Sequence, residues 1–103
     1  MKAIKQLLWW LIAGSEGGYN RAQIIHILND HPYNANQLAK KLNLDYKTIR
    51  HHLDVLVKNN LLTYTGSKYG KMYFISQPLE ESYELFVEIW DKIGKKKIKE
   101  KSR

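Results

Sequence analysis

Apolar side chains recur every three or four residues over most of the chain, which is the spacing expected of helices. The pattern predicts four helices, over about residues 2–13, 20–29, 34–42 and 45–59, with Asn20 as the N-cap of the second. A final helix opens at Pro78 and ends near Gly94. Its apolar stripe consists of Leu79, Tyr83, Phe86, Val87, Trp90 and Ile93.

The period changes between the fourth helix and the last one. Residues 61–65 and 71–76 are rich in Tyr, Thr, Phe and Ile, and a segment with a Gly at each end separates them. Two β-prone runs joined in this way predict a hairpin. The expected fold is therefore mainly α with a small β-hairpin wing, in the order α-α-α-α-β-β-α. Residues 1–93 form one domain in this interpretation, and residues 94–103 form a Lys-rich tail that we expect to be flexible.

Residues 34–59 pair a short helix with a longer one through a tight turn. Asn34 and Gln37 have the spacing of a capping box, and Asp45 is placed to cap the second helix. Small Ala39 allows the two helices to approach closely. Apolar residues on both helices and in the turn would hold the pair together: Leu38, Leu42, Leu44, Ile49 and Leu53. This is a helix-turn-helix arrangement, whose second helix can enter the major groove of DNA.

The candidate DNA contacts lie on this helix pair and on the hairpin tip. They are Asn36, Gln37, Tyr46, Lys47, Thr48, Arg50, His51, Lys68, Tyr69 and Lys71. Arg50 is the first candidate for base readout, because a guanidinium can bind guanine O6 and N7 with two hydrogen bonds. Lys68 and Lys71 are expected on the flanking backbone or in the minor groove, where contacts supply affinity rather than choice of sequence.

The charge distribution favours a polyanionic partner. The chain holds 17 Lys and Arg against 10 Asp and Glu, a net charge of +7. Residues 34–71 hold seven basic side chains against two acidic ones, and residues 92–103 hold seven against one. The segment between them, residues 72–91, has five acidic side chains and no basic one. The helix-turn-helix and the tip of the wing therefore lie within one basic block.

The first helix is apolar on nearly all sides, so it must be covered on two faces. A second subunit can supply the second cover, and the alternative is a central core position within one chain. We expect a homodimer whose interface comes from the first and last helices. The predicted interface residues are Leu7, Trp9, Trp10, Phe86, Trp90 and Ile93.

Several classes of protein are not expected. The chain has no Cys, which excludes disulfides, thiolate catalysis and Cys-ligated metal centres. No phosphate-binding loop, nucleophile elbow or HExxH pattern is present, so we predict neither enzyme activity nor a cofactor. The longest apolar run is far shorter than the roughly 20 residues of a membrane span. A cytoplasmic protein without a signal peptide is the expectation.

His51 and His52 are neighbours on the fourth helix, where side chains point about 100° apart and chelate a metal poorly. The prediction is that His52 leans into the core while His51 faces DNA, with no metal site.

Residues 34–76 resemble the winged helix-turn-helix domain of ArsR-like transcription regulators, particularly the archaeal members. The likeness rests on the segments NQLA (36–39), DYKTIRHHLDVL (45–56) and YGKMYF (69–74). The segment GGYNR (17–21) resembles the entry to the second helix in the same group. The resemblance implies a dimeric DNA-binding regulator, with repression as its usual action, whose terminal helices form the subunit interface. Many members sense metal through Cys in the recognition region or through Asp and His on the last helix. Here there is no Cys, and the last helix has no His.

Two alternatives stay open at this point. A Lys-rich chain can bind DNA with little sequence preference as an architectural protein, and a winged helix can also serve contacts with proteins or RNA. The outward Lys47 and Arg50 favour DNA over a protein partner.

Overall fold

The computed structural model of the protein describes residues 2–68 and 70–101. Helices make up most of it, and one antiparallel hairpin follows the fourth α-helix. The elements in chain order are α1 (Lys2–Leu8), a π-helix (Trp9–Ala13), α2 (Gly18–Asp30), α3 (Ala35–Leu42), α4 (Tyr46–Lys58), β1 (Leu62–Thr65), β2 (Met72–Ile75), α5 (Gln77–Glu81) and α6 (Tyr83–Lys101). The architecture is that of a winged helix-turn-helix, as the sequence predicts.

Side-chain caps fix the ends of the helix-turn-helix. The Asn34 side chain accepts from the Gln37 N–H at 2.8 Å, and the Gln37 side chain accepts from the Asn34 N–H at 2.9 Å. Asp45 accepts from the Thr48 N–H at 3.1 Å and so caps α4. Between the helices Asn43 adopts the left-handed conformation, with φ 55°. The predicted capping box and the predicted cap of α4 are both confirmed.

The wing pairs β1 with β2 in a register that places Leu62 opposite Ile75. The turn between them requires glycine at position 66, where φ is +87° and a Cβ would lie 2.6 Å from the Gly70 carbonyl oxygen. The Tyr73 N–H donates to the Tyr33 carbonyl at 2.9 Å, which ties the wing to the loop before α3. The wing is therefore held at a fixed distance from the helix pair.

The first predicted helix does not continue as an α-helix to Ala13. Its last turn is π, and the Gly14 N–H donates to the Trp9 carbonyl five residues earlier, at 2.8 Å. The predicted start of the second helix at Asn20 is also wrong, because α2 begins at Gly18 after Gly17, whose φ is +83°. Gly18 lies so close to the π-helix that a Cβ there would come within 1.8 Å of the Ile12 carbonyl oxygen.

The end of the chain also differs from the prediction. The single last helix is divided at Ser82 into α5 and α6, and Ser76 caps α5 by accepting from the Leu79 N–H at 3.3 Å. α6 then runs past Gly94 to Lys101, since one Gly inside a helix costs only about 1 kcal/mol. Within the described ranges, no helix is both long enough and apolar enough to cross a membrane.

The core lies where α1, α2, α4 and α6 meet. Its largest fully buried side chains are Leu8, Ile24, Ile25, Leu38, Ile49, Leu53, Leu56, Leu61, Leu62, Leu79, Phe86 and Ile89. Phe86 is 0% exposed, which corrects its assignment to the subunit interface. A side chain that its own chain covers completely has no surface left to offer a partner.

Candidate nucleic-acid interface

The first turns of α4 divide their side chains between core and solvent. Ile49 is fully buried, whereas Tyr46 and Lys47 are exposed and Thr48 and Arg50 are half-buried. Helical geometry produces this division, because successive side chains are about 100° apart around the axis. Tyr46, Lys47 and Arg50 therefore share one face of the helix, and Thr48 lies to the side of it.

Arg50 is oriented by the residue one turn before it. Its guanidinium donates to the Tyr46 hydroxyl at 3.2 Å, and its central carbon lies 5.9 Å from the centroid of the Tyr46 ring. The hydrogen bond that Arg50 donates to Tyr46 raises the pKa of Arg50, while partial burial acts in the opposite direction. Nε of Arg50 is buried and has no hydrogen-bond partner within the described part of the chain. The hydrogen bond to Tyr46 uses one of the five N–H donors of the guanidinium, so Arg50 retains donor capacity at its terminal nitrogens.

The wing brings further cations to the same side of the molecule. Lys71 Nζ lies 4.3 Å from the centroid of the Tyr64 ring, and Lys68 is exposed in the turn. One polar cleft runs between the wing and the helix pair. Its lining residues are Asn34, Ala35, Asn36, Tyr46, Arg50, Lys68, Lys71 and Tyr73. Five of the predicted DNA contacts therefore line a single cleft, to which three segments of the chain contribute.

The remaining predicted contacts lie elsewhere. Lys47 and His51 are exposed on α4 outside the cleft lining, while Gln37 and Thr48 are engaged in the caps of α3 and α4. Tyr69 lies outside the described residues.

Tyr73 belongs to the cleft although the sequence reading does not single it out. It is a buried residue of β2, and burial raises the pKa of its hydroxyl. Its ring lies 5.9 Å from that of Tyr64 across the hairpin. The alternation of β2 indicates that Tyr73 faces inward, but only the packing of the wing on α3 and α4 places it beside Arg50.

The two adjacent histidines separate as predicted. His51 is exposed, and His52 is 5% exposed with its Nδ1 3.2 Å from a guanidinium nitrogen of Arg21. Burial is the largest cause of a lowered pKa at His52, followed by the nearby charge of Arg21. Across the described ranges, no three His, Asp or Glu side chains are grouped so that they could hold a metal ion.

The aromatic residues of the terminal helices differ in their surroundings. Trp10 is 63% exposed, whereas Leu7, Trp9, Trp90 and Ile93 are half-buried. The Trp90 ring stacks on His26 at 5.0 Å between centroids. Lys92 Nζ lies 5.1 Å from the centroid of the Trp9 ring. Most of the predicted interface residues therefore already have contacts within the chain, and Trp10 is the large side chain that projects from it.

The central segment of the chain is similar to a known family of regulatory proteins. Residues 19–64 match the family model described as "Bacterial regulatory protein, arsR family". This segment is similar to the helix-turn-helix of that family. The match supports a DNA-binding regulator of transcription, and the matched segment contains most of α2 together with α3, α4 and the start of the wing. No curated protein matches the chain.

Two solved structures from Staphylococcus aureus share the fold. MarR in complex with salicylate and kanamycin is similar with a TM-score of 0.62 and 20% identity, over 80% of this chain and 57% of that one. MepR bound to ethidium bromide is similar with a TM-score of 0.57 and 13% identity, over 96% of this chain and 78% of that one. The chain thus spans just over half the length of the MarR chain. None of these comparisons supports the archaeal type, which stays a prediction.

Proposed function

We propose that the protein is a sequence-specific regulator of transcription that binds double-stranded DNA as a homodimer and represses the genes it controls. The observation that carries the proposal is the shared cleft, in which the base-reading face of α4 and the cations of the wing meet. Tyr46 and Arg50 come from α4, and Lys68 and Lys71 come from the wing. A helix and a hairpin so arranged can contact the major groove and the adjoining backbone at the same time.

In this proposal α4 enters the major groove by its N-terminal turns. Arg50 reads a guanine with its guanidinium, and Lys47 holds a phosphate or a second base edge. Asn36 contacts the backbone from the start of α3. The wing residues Lys68 and Lys71 lie against the flanking phosphates or in the minor groove.

We propose that the subunits associate through the terminal helices. Trp10 is the anchor, since an exposed indole of this size is the type of residue that dominates protein interfaces. The half-buried Leu7, Trp9, Trp90 and Ile93 are the other residues proposed for this interface. A two-fold axis through this surface would present two copies of α4 to half-sites about 34–36 Å apart. Such a dimer would repress by occupying the promoter.

The basic residues of the chain's last twelve positions favour a second candidate, an architectural binder with little sequence preference. Most of its affinity would come from phosphate contacts, so it would fall steeply with salt.

Selection from a randomised duplex pool, at about 50 mM and about 200 mM salt, separates the candidates. A two-fold symmetric motif that survives the higher salt is the expected result. Tight binding without a motif would replace the proposal by the architectural role. An absence of binding at both salt concentrations would contradict both, and it would favour a protein partner for the winged helix.

A further inference from the structure

A buried arginine lies beneath the recognition helix, outside the cleft. Arg21 of α2 is only 5% exposed, and its guanidinium reaches four groups. Nε donates to the Leu11 carbonyl at 3.0 Å, and the terminal nitrogens reach the Ser15 hydroxyl at 2.6 Å, the Glu16 carbonyl at 3.2 Å and His52 Nδ1 at 3.2 Å. None of these partners is a carboxylate. The guanidinium therefore joins the end of the π-helix and the loop after it to α4.

The contact with His52 fixes the state of the imidazole. A guanidinium has donors only, so Nδ1 of His52 must accept and the ring proton must reside on Nε2. A second proton on the ring would remove the acceptor and place two cations 3.2 Å apart in a buried site. On another side of the ring, a Cβ at Gly17 would lie only 2.9 Å from His52 Cε1. The neutral ring is thus held closely between Arg21 and the backbone at Gly17.

This contact acts on α4 differently from the apolar packing around it. Ile49, Leu53 and Leu56 hold α4 to the core, but dispersion contacts have little directionality. The hydrogen bond from Arg21 defines an angle, because it requires the Nδ1 lone pair to point at the guanidinium. His52 immediately follows the exposed His51 and is two residues beyond Arg50. A small rotation of α4 about its axis would therefore displace the side chains that the proposed function assigns to base readout.

We propose that Arg21 and His52 are positioning residues for DNA recognition, and that the hydrogen bond between them sets the rotation of α4 at which Arg50 reads its base. The inference rests on the proposed function. It assigns to the GGYNR segment the task of holding the recognition helix through His52, in addition to starting α2.

The proposal has a pH dependence whose sign is fixed. The groups that act on the charge of His52 are Arg21 from α2 and His51 from α4 itself, and burial lowers the pKa of His52 more than either. The folded-state pKa of His52 therefore lies below the ordinary value of about 6.5. Neutral His52 prevails above that pKa, so selective binding is complete at pH 7.5 and is lost as the pH falls through the His52 pKa.

The decisive measurement is the ratio of affinities for the selected duplex and for a scrambled duplex of the same composition, from about pH 5 to pH 8 at constant ionic strength. For the natural chain we expect the ratio to fall by up to about tenfold per pH unit below the His52 pKa, the limit for one coupled proton. Affinity for the scrambled duplex should not fall with it, since phosphate contacts do not need this rotation. Circular dichroism at each pH confirms that the protein is folded.

Two variants and a matched control make the measurement specific. His52→Asn keeps an acceptor at the position of Nδ1 but cannot be protonated, so its ratio should stay flat with pH. Arg21→Lys keeps the charge but loses the planar set of guanidinium donors. Its ratio of affinities for the selected and scrambled duplexes should therefore be several-fold lower already at pH 7.5. His31→Asn removes an exposed histidine of the loop after α2 and should reproduce the profile of the natural chain.

A measurement without DNA tests the Arg21–His52 contact separately from the proposed function. Ring ¹⁵N–¹H correlation spectra of the natural chain should show His52 protonated at Nε2 and not at Nδ1. An Nδ1-protonated ring would overturn the contact itself. Selective binding with the same pH profile in His52→Asn as in the natural chain would overturn the positioning role alone. A natural chain that does not distinguish the duplexes at pH 7.5 would overturn the proposed function, and the inference with it.

Discussion

Two regions of the molecule are stabilised in different ways: the helix-turn-helix with its wing, and the terminal region, which consists of α1, the π-helix, α2, α5 and α6. In the first region each turn is fixed by residues close in sequence: Asn34 bonds to Gln37, Asp45 to Thr48, and Gly66 allows the hairpin turn. In the terminal region the decisive contacts span longer separations, as when Arg21 bonds to Leu11 ten residues away and to His52 thirty-one residues away. The turns and helix ends of the helix-turn-helix and the wing are thus specified locally, whereas the terminal region, and the seating of α4 on it through His52, depend on the assembled fold.

The aromatic residues of the terminal region differ among themselves in burial. Phe86 and Trp10 are both large apolar residues of the terminal helices, yet one is 0% exposed and the other 63%. A substitution at each position can therefore separate the stability of one chain from the association of two.

The largest expected effect is at Phe86. Phe86→Ala should lower the free energy of unfolding by about 3–5 kcal/mol, because it empties a fully buried site. Trp10→Ala should change it by no more than about 0.5 kcal/mol and instead shift the monomer–dimer balance towards monomer. Urea unfolding in dilute protein measures the first quantity, and analytical ultracentrifugation measures the second. Equal losses of stability in the two variants would contradict the assignment of Phe86 to the core and Trp10 to the surface.

Substitution of Arg50 tests the helix-turn-helix region, and it should leave the fold intact. Arg50→Ala should cost about 1–3 kcal/mol of binding free energy and relax the preference at one base position. Lys58→Ala, an exposed cation in the last turn of the same helix, is the matched control. Fluorescence anisotropy on duplexes substituted one base pair at a time measures both. An unchanged base preference in Arg50→Ala would remove Arg50 from readout.

Removal of the cap of α4 tests whether residues close in sequence fix the start of this helix. Asp45→Ala should lower the free energy of unfolding by about 1 kcal/mol, because the Thr48 N–H loses its acceptor. Asp54→Ala, on the exposed side of the same helix, should change it by less than about 0.5 kcal/mol. Thermal and urea unfolding measure the difference. Identical values for the two variants would mean that tertiary packing, rather than the cap, fixes the start of α4.

The smallest effect is expected at the wing. Lys71→Ala should weaken binding to all duplexes by a similar factor and lower the slope of log affinity against log salt by about 1. Lys5→Ala, exposed on α1, should leave that slope unchanged. A loss at Lys71 that is confined to one sequence would show base readout by the wing.

These differences explain how far the sequence predicts the molecule. The helix pair and the hairpin follow from the spacing of apolar residues, and the caps at Asn34 and Asp45 follow from the residues that form them. The burial of Phe86 does not follow, because an apolar stripe identifies a helix face without saying whether the core or a partner covers it.

The start of α2 shows the same limit. Asn20 is an ordinary N-cap residue, but the close approach of Gly18 to Ile12, which exists only in the folded chain, lets the helix begin earlier. The burial of Arg21 does not follow from the sequence either, since none of its four partners has a regular spacing from it. Within the candidate site, the outward position of Arg50 can be predicted from the face of α4 on which it lies. The place of Tyr73 in the cleft cannot, because it depends on how the wing packs against the helix pair.

The π turn at Trp9–Ala13 sets the rotation of α1 about its own axis relative to α2 and the rest of the fold. A π turn holds about one residue more than an α turn. Deleting one residue there would convert it to an α turn and rotate α1 by about 100° relative to α2. The indole of Trp10 would then leave one side of the molecule for another, while the caps and the wing would be unchanged. Because Arg21 donates to the Leu11 carbonyl inside this turn, such a deletion would change both the surface proposed to join two subunits and the contact proposed to hold the recognition helix.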